Sequence, residues 1–235
     1  MAEYLSVLLL ERQYGPTRVQ RLRRRSLDRY LRGRASEKVH ELPLLYNENQ
    51  PHIHYDKGAV ALYALRSYLG EKRLHGALAQ FMRDYQGRPA PYPTSEDLYG
   101  YILRATPDSL HYFVQDQLKR ITLYDNQVQE VAYQRLPDGR YRAIVHLVAH
   151  KRYADQLGKE TEAPLHDYID VALYGAANQV LYRQRVLVTE SRKVLKITVA
   201  AVPQKAVLDP DLLLVDRRSE DNSRAAVEIG RQSDR

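Results

Sequence analysis

The sequence predicts an α+β chain in two domains: a helical half over residues 1–122 and an antiparallel β-sandwich of immunoglobulin-like size over 123–217, followed by a polar tail, 218–235. Three observations predict it. Leu74, Ala77, Leu78, Phe81, Met82 and Tyr85 recur at the three- and four-residue spacing of one helix face. In Tyr141–Ala149 the period is two, with Tyr141, Ala143, Val145, Leu147 and Ala149 on one side of a strand. The change from one period to the other falls past Ile121, which places the domain boundary near Leu123–Asn126.

The elements follow in order. A first helix over residues 2–13 ends at Gly15-Pro16, and Thr17 lies near the start of a second. That second segment holds Arg18, Arg21, Arg23, Arg24, Arg25, Arg29, Arg32 and Arg34, with Val19, Leu22, Leu27, Tyr30 and Leu31 forming an apolar stripe that would leave the arginines on the remaining surface. A polar connector runs to about Gln50. Gly58–Leu69 is apolar almost all round, the pattern of a helix buried inside a domain, and Gly70 ends it. After the Pro/Gly-rich loop 87–93, Thr94 or Ser95 can cap a helix carrying Leu98, Tyr101, Ile102 and Ala105. Pro107 opens the last helix, with Leu110, Phe113, Val114, Leu118 and Ile121 inward. Beyond the boundary, Pro137-Asp138-Gly139 signals a hairpin turn, and alternation returns in Asp167–Tyr174, Val180–Val188 and Val194–Val199. The tail after Arg217 is polar and is expected to fray.

Composition removes several kinds of chemistry. There are no cysteines, so disulfides, thiolate metal sites and cysteine nucleophiles are excluded. An apolar fraction of 44% is too high for a disordered chain, and the longest apolar runs fall far short of the roughly 20 residues that span a bilayer. The net charge of +7 suits a polyanionic partner. Its concentration in Arg18–Arg34 reads first as a solvated helix face, with nucleic acid or an acidic membrane as alternatives.

Eight histidines prompt a search for a metal site. An H-E-x-x-H helix would place two imidazoles on one face with a general base between them. His40-Glu41 begins that pattern, but Leu44 stands where the second histidine is needed. His52 and His54 share a face if extended, as do His146 and His150, and neither pair has an obvious third ligand. No nucleophile-elbow serine or phosphate-binding glycine loop is present.

One segment is more specific: His54-Tyr55-Asp56-Lys57-Gly58, directly ahead of the buried helix. Tyr55-Asp56-Lys57-Gly58 resembles the Tyr-x-Lys-Gly motif of gluzincin zinc aminopeptidases, the alanyl-aminopeptidase-like family with a thermolysin-type catalytic domain. The resemblance continues through Leu69-Gly70-Glu71, Phe81 and Thr94-Ser95-Glu96-Asp97-Leu98, similar to the family's Thr-x-x-Asp-Leu stretch. Upstream, Ala2-Glu3-Tyr4 looks like the tail of Glu-Gly-x-Ala-x-Tyr, whose glutamate is the third zinc ligand. It covers about residues 2–120. Over the β-rich half the likeness is one of architecture, since a small β-sandwich commonly follows or borders the family's catalytic domain.

The resemblance implies that residues 1–122 are the helical C-terminal part of a thermolysin-like catalytic domain. It implies that Tyr55 is catalytic, meeting the negative charge that develops on the scissile carbonyl. Lys57 and Gly58 would be positional, the lysine as a local hydrogen-bond or ion-pair partner and the glycine to let the chain turn into the helix. From its residues alone, Tyr55 is one of 19 tyrosines and reads as a packed ring with a satisfied hydroxyl. The family's zinc ligands, its general base and the segment gripping the substrate amine would all precede Met1. This chain alone is therefore expected to hold no zinc and to be inactive. The implied partners are a peptide substrate and the upstream catalytic segment. Some bacterial relatives are fused behind multi-span permease-like segments, so a membrane-tethered parent also belongs among the expectations. Two other readings stay open on the residues: a non-enzymatic module whose sandwich binds a partner protein, and a nucleic-acid binder acting through Arg18–Arg34.

Overall fold

A computed structural model describes residues 1–229. The chain is α+β, with six α-helices and two β-sheets among the described residues, and it divides into two compact units. One unit comprises Met1–Thr122, Tyr153–Thr161 and Leu213–Val215; the other comprises, among the described residues, Leu123–Arg152, Glu162–Leu212 and 216–229.

In the helical unit, α1 (Ala2–Tyr14) and α2 (Pro16–Ser36) are separated by Gly15 alone, whose φ of 80° lies in the left-handed region that glycine occupies at little cost. Pro16 then opens α2, where its missing N–H and fixed φ suit the first helical turn. The helices α3 (Gly58–Leu69), α4 (Glu71–Tyr85), α5 (Ser95–Arg104) and α6 (His111–Leu118) complete the unit. Burial of α3 is nearly total, as its all-round apolar sequence demands. Tyr68 of α3 stacks on Phe113 of α6 with ring centroids 3.8 Å apart. Thr94 is the residue that caps α5, in a capping box with Asp97.

Three helical expectations need correction. Met82 directly follows the buried Phe81, lies off the stripe formed by Leu74, Ala77, Leu78 and Phe81, and is 54% exposed. The last helix stops at Leu118, and Ile121 instead opens a strand, because the run Ile121-Thr122-Leu123-Tyr124 favours extended structure. The arginines of α2 are not all on its outer surface. Val19, Arg23, Ser26, Leu27 and Tyr30 are buried together, and the Arg23 guanidinium lies over the Tyr63 ring, 4.2 Å from its centroid.

The strands are β1 (Ile121–Arg135), β2 (Tyr141–Ala154), β3 (Glu160–Glu162), β4 (Asp167–Tyr174), β5 (Val180–Val188), β6 (Arg192–Val199), β7 (Lys205–Leu208), β8 (Ser223–Ala225) and β9 (Val227–Glu228). One sheet runs β3-β2-β1-β9 with β6 also paired to β2; the other runs β5-β4-β7-β8. Pro137-Asp138-Gly139 makes the β1–β2 turn, closed by Leu136 N–H donating to Arg140 O at 2.8 Å. Along β2, Ala143, Val145, Leu147 and Ala149 are buried at alternate positions, so the period-two reading holds residue by residue.

The sheets are not wholly antiparallel. Strand β9 runs parallel to β1, pairing Ala132 with Val227 and Tyr133 with Glu228. Only Ala226 separates β9 from β8, so the chain reaches β1 without reversing direction. Residues 218–229 are consequently no frayed tail: β8 and β9 extend one sheet each. The remaining tail residues, 230–235, lie outside the described residues.

Candidate functional site at the entrance to the buried helix

Directly before α3 the backbone widens into a π-helical turn, His52–Lys57, in which Gly58 N–H reaches back to Ile53 O. Such i→i+5 turns change the phase of the helix and occur often at functional sites. Here the change sends Ile53, Asp56 and Lys57 inward and leaves His54 and Tyr55 outside. Tyr55 is 51% exposed, packs edge-on against His54 with ring centroids 4.3 Å apart, and its hydroxyl makes no hydrogen bond among the described residues. That departs from a packed ring with a satisfied hydroxyl. Elsewhere in the unit, the buried Tyr4 bonds His75 at 2.8 Å, Tyr30 donates to Glu41 at 2.6 Å and Tyr63 donates to Glu11 at 2.5 Å.

The two residues after Tyr55 are buried charges. Asp56, 3% exposed, lies 3.4 Å from the Arg29 guanidinium; burial pushes its carboxyl above the ordinary range, and Arg29 opposes that shift. Lys57, 2% exposed, has its Nζ 3.9 Å from Glu41 and 5.0 Å from the centroid of the Tyr30 ring. Burial pushes Lys57 down to about 8, and the Glu41 carboxylate partly offsets that. Tyr30 is pushed well above its ordinary value by burial and by the carboxylate it bonds.

Glu41 gathers these groups. Its carboxylate accepts from Tyr30 and Arg34, and its backbone N–H donates to Gln156 O at 3.0 Å. Arg34 also lies 3.8 Å from Glu160. In sequence Glu41 stood only as half of a failed zinc motif, and Arg34 as one of a surface row. A signal was present nonetheless: Val19, Arg23, Ser26, Leu27, Tyr30 and Arg34 fall on one helical stripe, so two arginines lie on the inward face.

Gly58 does not do what the motif reading assigned to it. Its φ of −60° and ψ of −41° are ordinary helical values, and an added Cβ would meet Leu44 Cδ1 only at 3.6 Å. The glycine that close packing requires is Gly33 of α2, where a Cβ would stand 2.5 Å from the His52 ring.

The histidine pairs do not converge. His52 stacks on Tyr30, whereas His54 points outward beside Tyr55, so the π-turn separates two residues that an extended chain would align. His150 lies 3.1 Å from Glu162, and His40 is exposed. Among the described residues no group of three or more His, Cys, Asp or Glu side chains could hold a metal ion, so they do not by themselves fit a resident zinc. Glu3 is exposed in the first turn of α1, and Tyr4 beside it is buried. A cavity of about 150 Å³ lies between the start of α1 and the π-turn, lined in part by Met1, Leu44, His54, Gly58, Leu62 and Ile102.

Compared with known proteins, the chain matches no family model and no curated protein. No helix among the described residues is long and apolar enough to cross a membrane.

Proposed function

We propose that this chain is part of a zinc-dependent aminopeptidase that hydrolyses amino-terminal residues from peptides, with Tyr55 as its oxyanion-stabilising residue. The observation that carries the reading is the exposed, unpartnered Tyr55 hydroxyl set on a turn whose next two side chains are buried charges. A phenol held this way donates one hydrogen bond to the carbonyl oxygen of the scissile bond as negative charge builds there. Such a donor needs a rigid mount, and α3 behind it is buried on nearly every side. The resemblance assigns the zinc ligands to the segment upstream of Met1.

The test uses the polypeptide extended upstream through the zinc motif. Tyr55→Phe keeps the ring and removes only the donor, so kcat on aminoacyl substrates should fall by about 10²–10³ with KM little changed. Zinc content should stay at the level of the unmodified enzyme. Unchanged turnover in a zinc-replete Tyr55→Phe variant removes the assignment.

A further inference from the structure

The groups around Glu41 form a charge-balanced set: Glu41 and Glu160 carry negative charge, Arg34 and Lys57 positive. Within it the two cations are held differently. Arg34 hydrogen-bonds the Glu41 carboxylate, whereas Lys57 Nζ is buried with no hydrogen-bond partner among the described residues and stands 3.9 Å from the same carboxylate. An ammonium in that position is kept charged by one nearby anion alone, because Arg34 beside it opposes its charge and Tyr30 is neutral. His52, stacked on Tyr30, and Asp56, paired with Arg29, are the other titratable groups of the turn.

Lys57 and Tyr55 share a single π-turn, two residues apart, so the side that faces Glu41 determines the side that faces out. We propose that Glu41 is a positioning residue for Tyr55: its carboxylate holds the Lys57 ammonium inward, and this anchor keeps the π-turn open and the Tyr55 hydroxyl presented to solvent. The catalytic consequence rests on the role proposed for Tyr55; the geometric one does not. The anchor operates while Lys57 is charged. Above about pH 8 the lysine loses its proton, and its attraction to Glu41 goes with it. Replacing Glu41 by glutamine withdraws the only favourable charge, so Lys57 should lose its proton at lower pH.

The experiment places 4-fluorophenylalanine, which has no ionisable group, at position 55 of the full chain and follows its fluorine resonance from pH 6 to 10. In the otherwise unaltered chain the resonance should shift with a midpoint near 8. In Glu41→Gln the midpoint should move down by roughly one unit or more, a tenfold loss of proton affinity, and Glu41→Asp should bring it part of the way back. A purely structural glutamate would leave the midpoint where it was, so an unchanged midpoint in a folded Glu41→Gln chain overturns the proposal. Should that variant not fold, Lys57→Met decides: the titration must vanish, and its persistence near 8 overturns the proposal equally. Asp84→Asn, which removes the carboxylate bonded by Tyr101 at a distance from the turn, should leave the resonance unmoved. In the upstream-extended enzyme, Glu41→Gln should lower kcat at pH 8 by about fivefold or more, the fall in the charged fraction of Lys57 when its midpoint drops by one unit or more, while KM and zinc content hold. A shifted midpoint with unaltered kcat supports the positioning and counts against the catalytic role of Tyr55 instead.

Discussion

Each unit contains a buried lysine, carboxylate and tyrosine, and the two sets are built to opposite specifications. In the β-rich unit, Lys151 Nζ donates to both oxygens of Asp167 at 3.0 and 3.1 Å, Tyr124 adds a bond at 2.9 Å, and His166 N–H adds another at 3.1 Å. That is a closed network in which the buried charges repay one another. In the helical unit, the Glu41 carboxylate is well bonded by Tyr30 and Arg34, but Lys57 stops 3.9 Å short of it. The difference separates a lysine whose buried charge is fully hydrogen-bonded from one whose buried charge has an anion near it and no hydrogen bond among the described residues. The second adjoins Tyr55, the exposed side chain to which we assign the proposed role.

The largest effects should therefore have opposite signs. Lys151→Met leaves Asp167 buried without its cation and should cost the β-rich unit about 3–5 kcal/mol in urea unfolding. Lys57→Met removes an ammonium that burial disfavours and leaves Glu41 its two better donors, so it should stabilise the helical unit by about 1–3 kcal/mol at pH 7. Like signs for the two substitutions break the comparison.

A pH dependence sharpens it. Asp216, 1% exposed, accepts from the backbone N–H groups of Asn126 and Arg218 and from Asn222 Nδ2, yet burial outweighs these donors and raises it to about 6. A carboxyl whose folded pKa lies above its unfolded one holds its proton more tightly when folded. The stability it contributes is full below about pH 4 and is lost as pH rises through 6. The amount is roughly 2–3 kcal/mol at most. Subtracting the melting curves of Asp216→Asn from those of the unaltered chain between pH 4 and 7 should isolate that loss; a flat difference contradicts it.

The last comparison concerns two glycines. Gly33→Ala forces a methyl onto the His52 ring and should destabilise by about 1–3 kcal/mol, disturbing the π-turn with it. Gly58→Ala meets only an ordinary contact in helical backbone and should be neutral or stabilising by up to about 1 kcal/mol. Thermal unfolding of both variants ranks them directly, and a larger loss at Gly58 would restore the conformational role the motif reading gave it.

These cases also show which features the sequence made legible. Where one period governs a segment and one face is buried, as in α3, α4 and β2, the pattern gives element and orientation together. It fails where burial is decided by partners distant in the chain. The pairing of Arg34 and Lys57 with Glu41 depends on bringing α2, the connector and the π-turn together, and no local period encodes that meeting. The π-turn itself adds a residue to a helical turn, and no local period announces it: the sequence aligned His52 and His54 only on an extended chain, and the motif resemblance alone singled out Tyr55. The last strands escaped for a related reason. β8 and β9 are three and two residues long and take their edges from β7 and β1, so their polar composition reads as tail.

The helical unit is also not a stretch of gene. Its compact body includes Tyr153–Thr161, where Tyr153 donates to the buried Asp116 at 3.0 Å and Gln156 receives the Glu41 backbone, as well as Leu213–Val215. A polypeptide ended at residue 122 would contain all six α-helices of the described residues and still lack Gln156, which receives the Glu41 backbone. Recombination or truncation at that point would separate Glu41 from a segment that it bonds, although thirty residues of sequence, 123–152, lie between the cut and the first of the missing pieces. For this molecule, the unit that selection can exchange intact is larger than the unit a linear reading would excise.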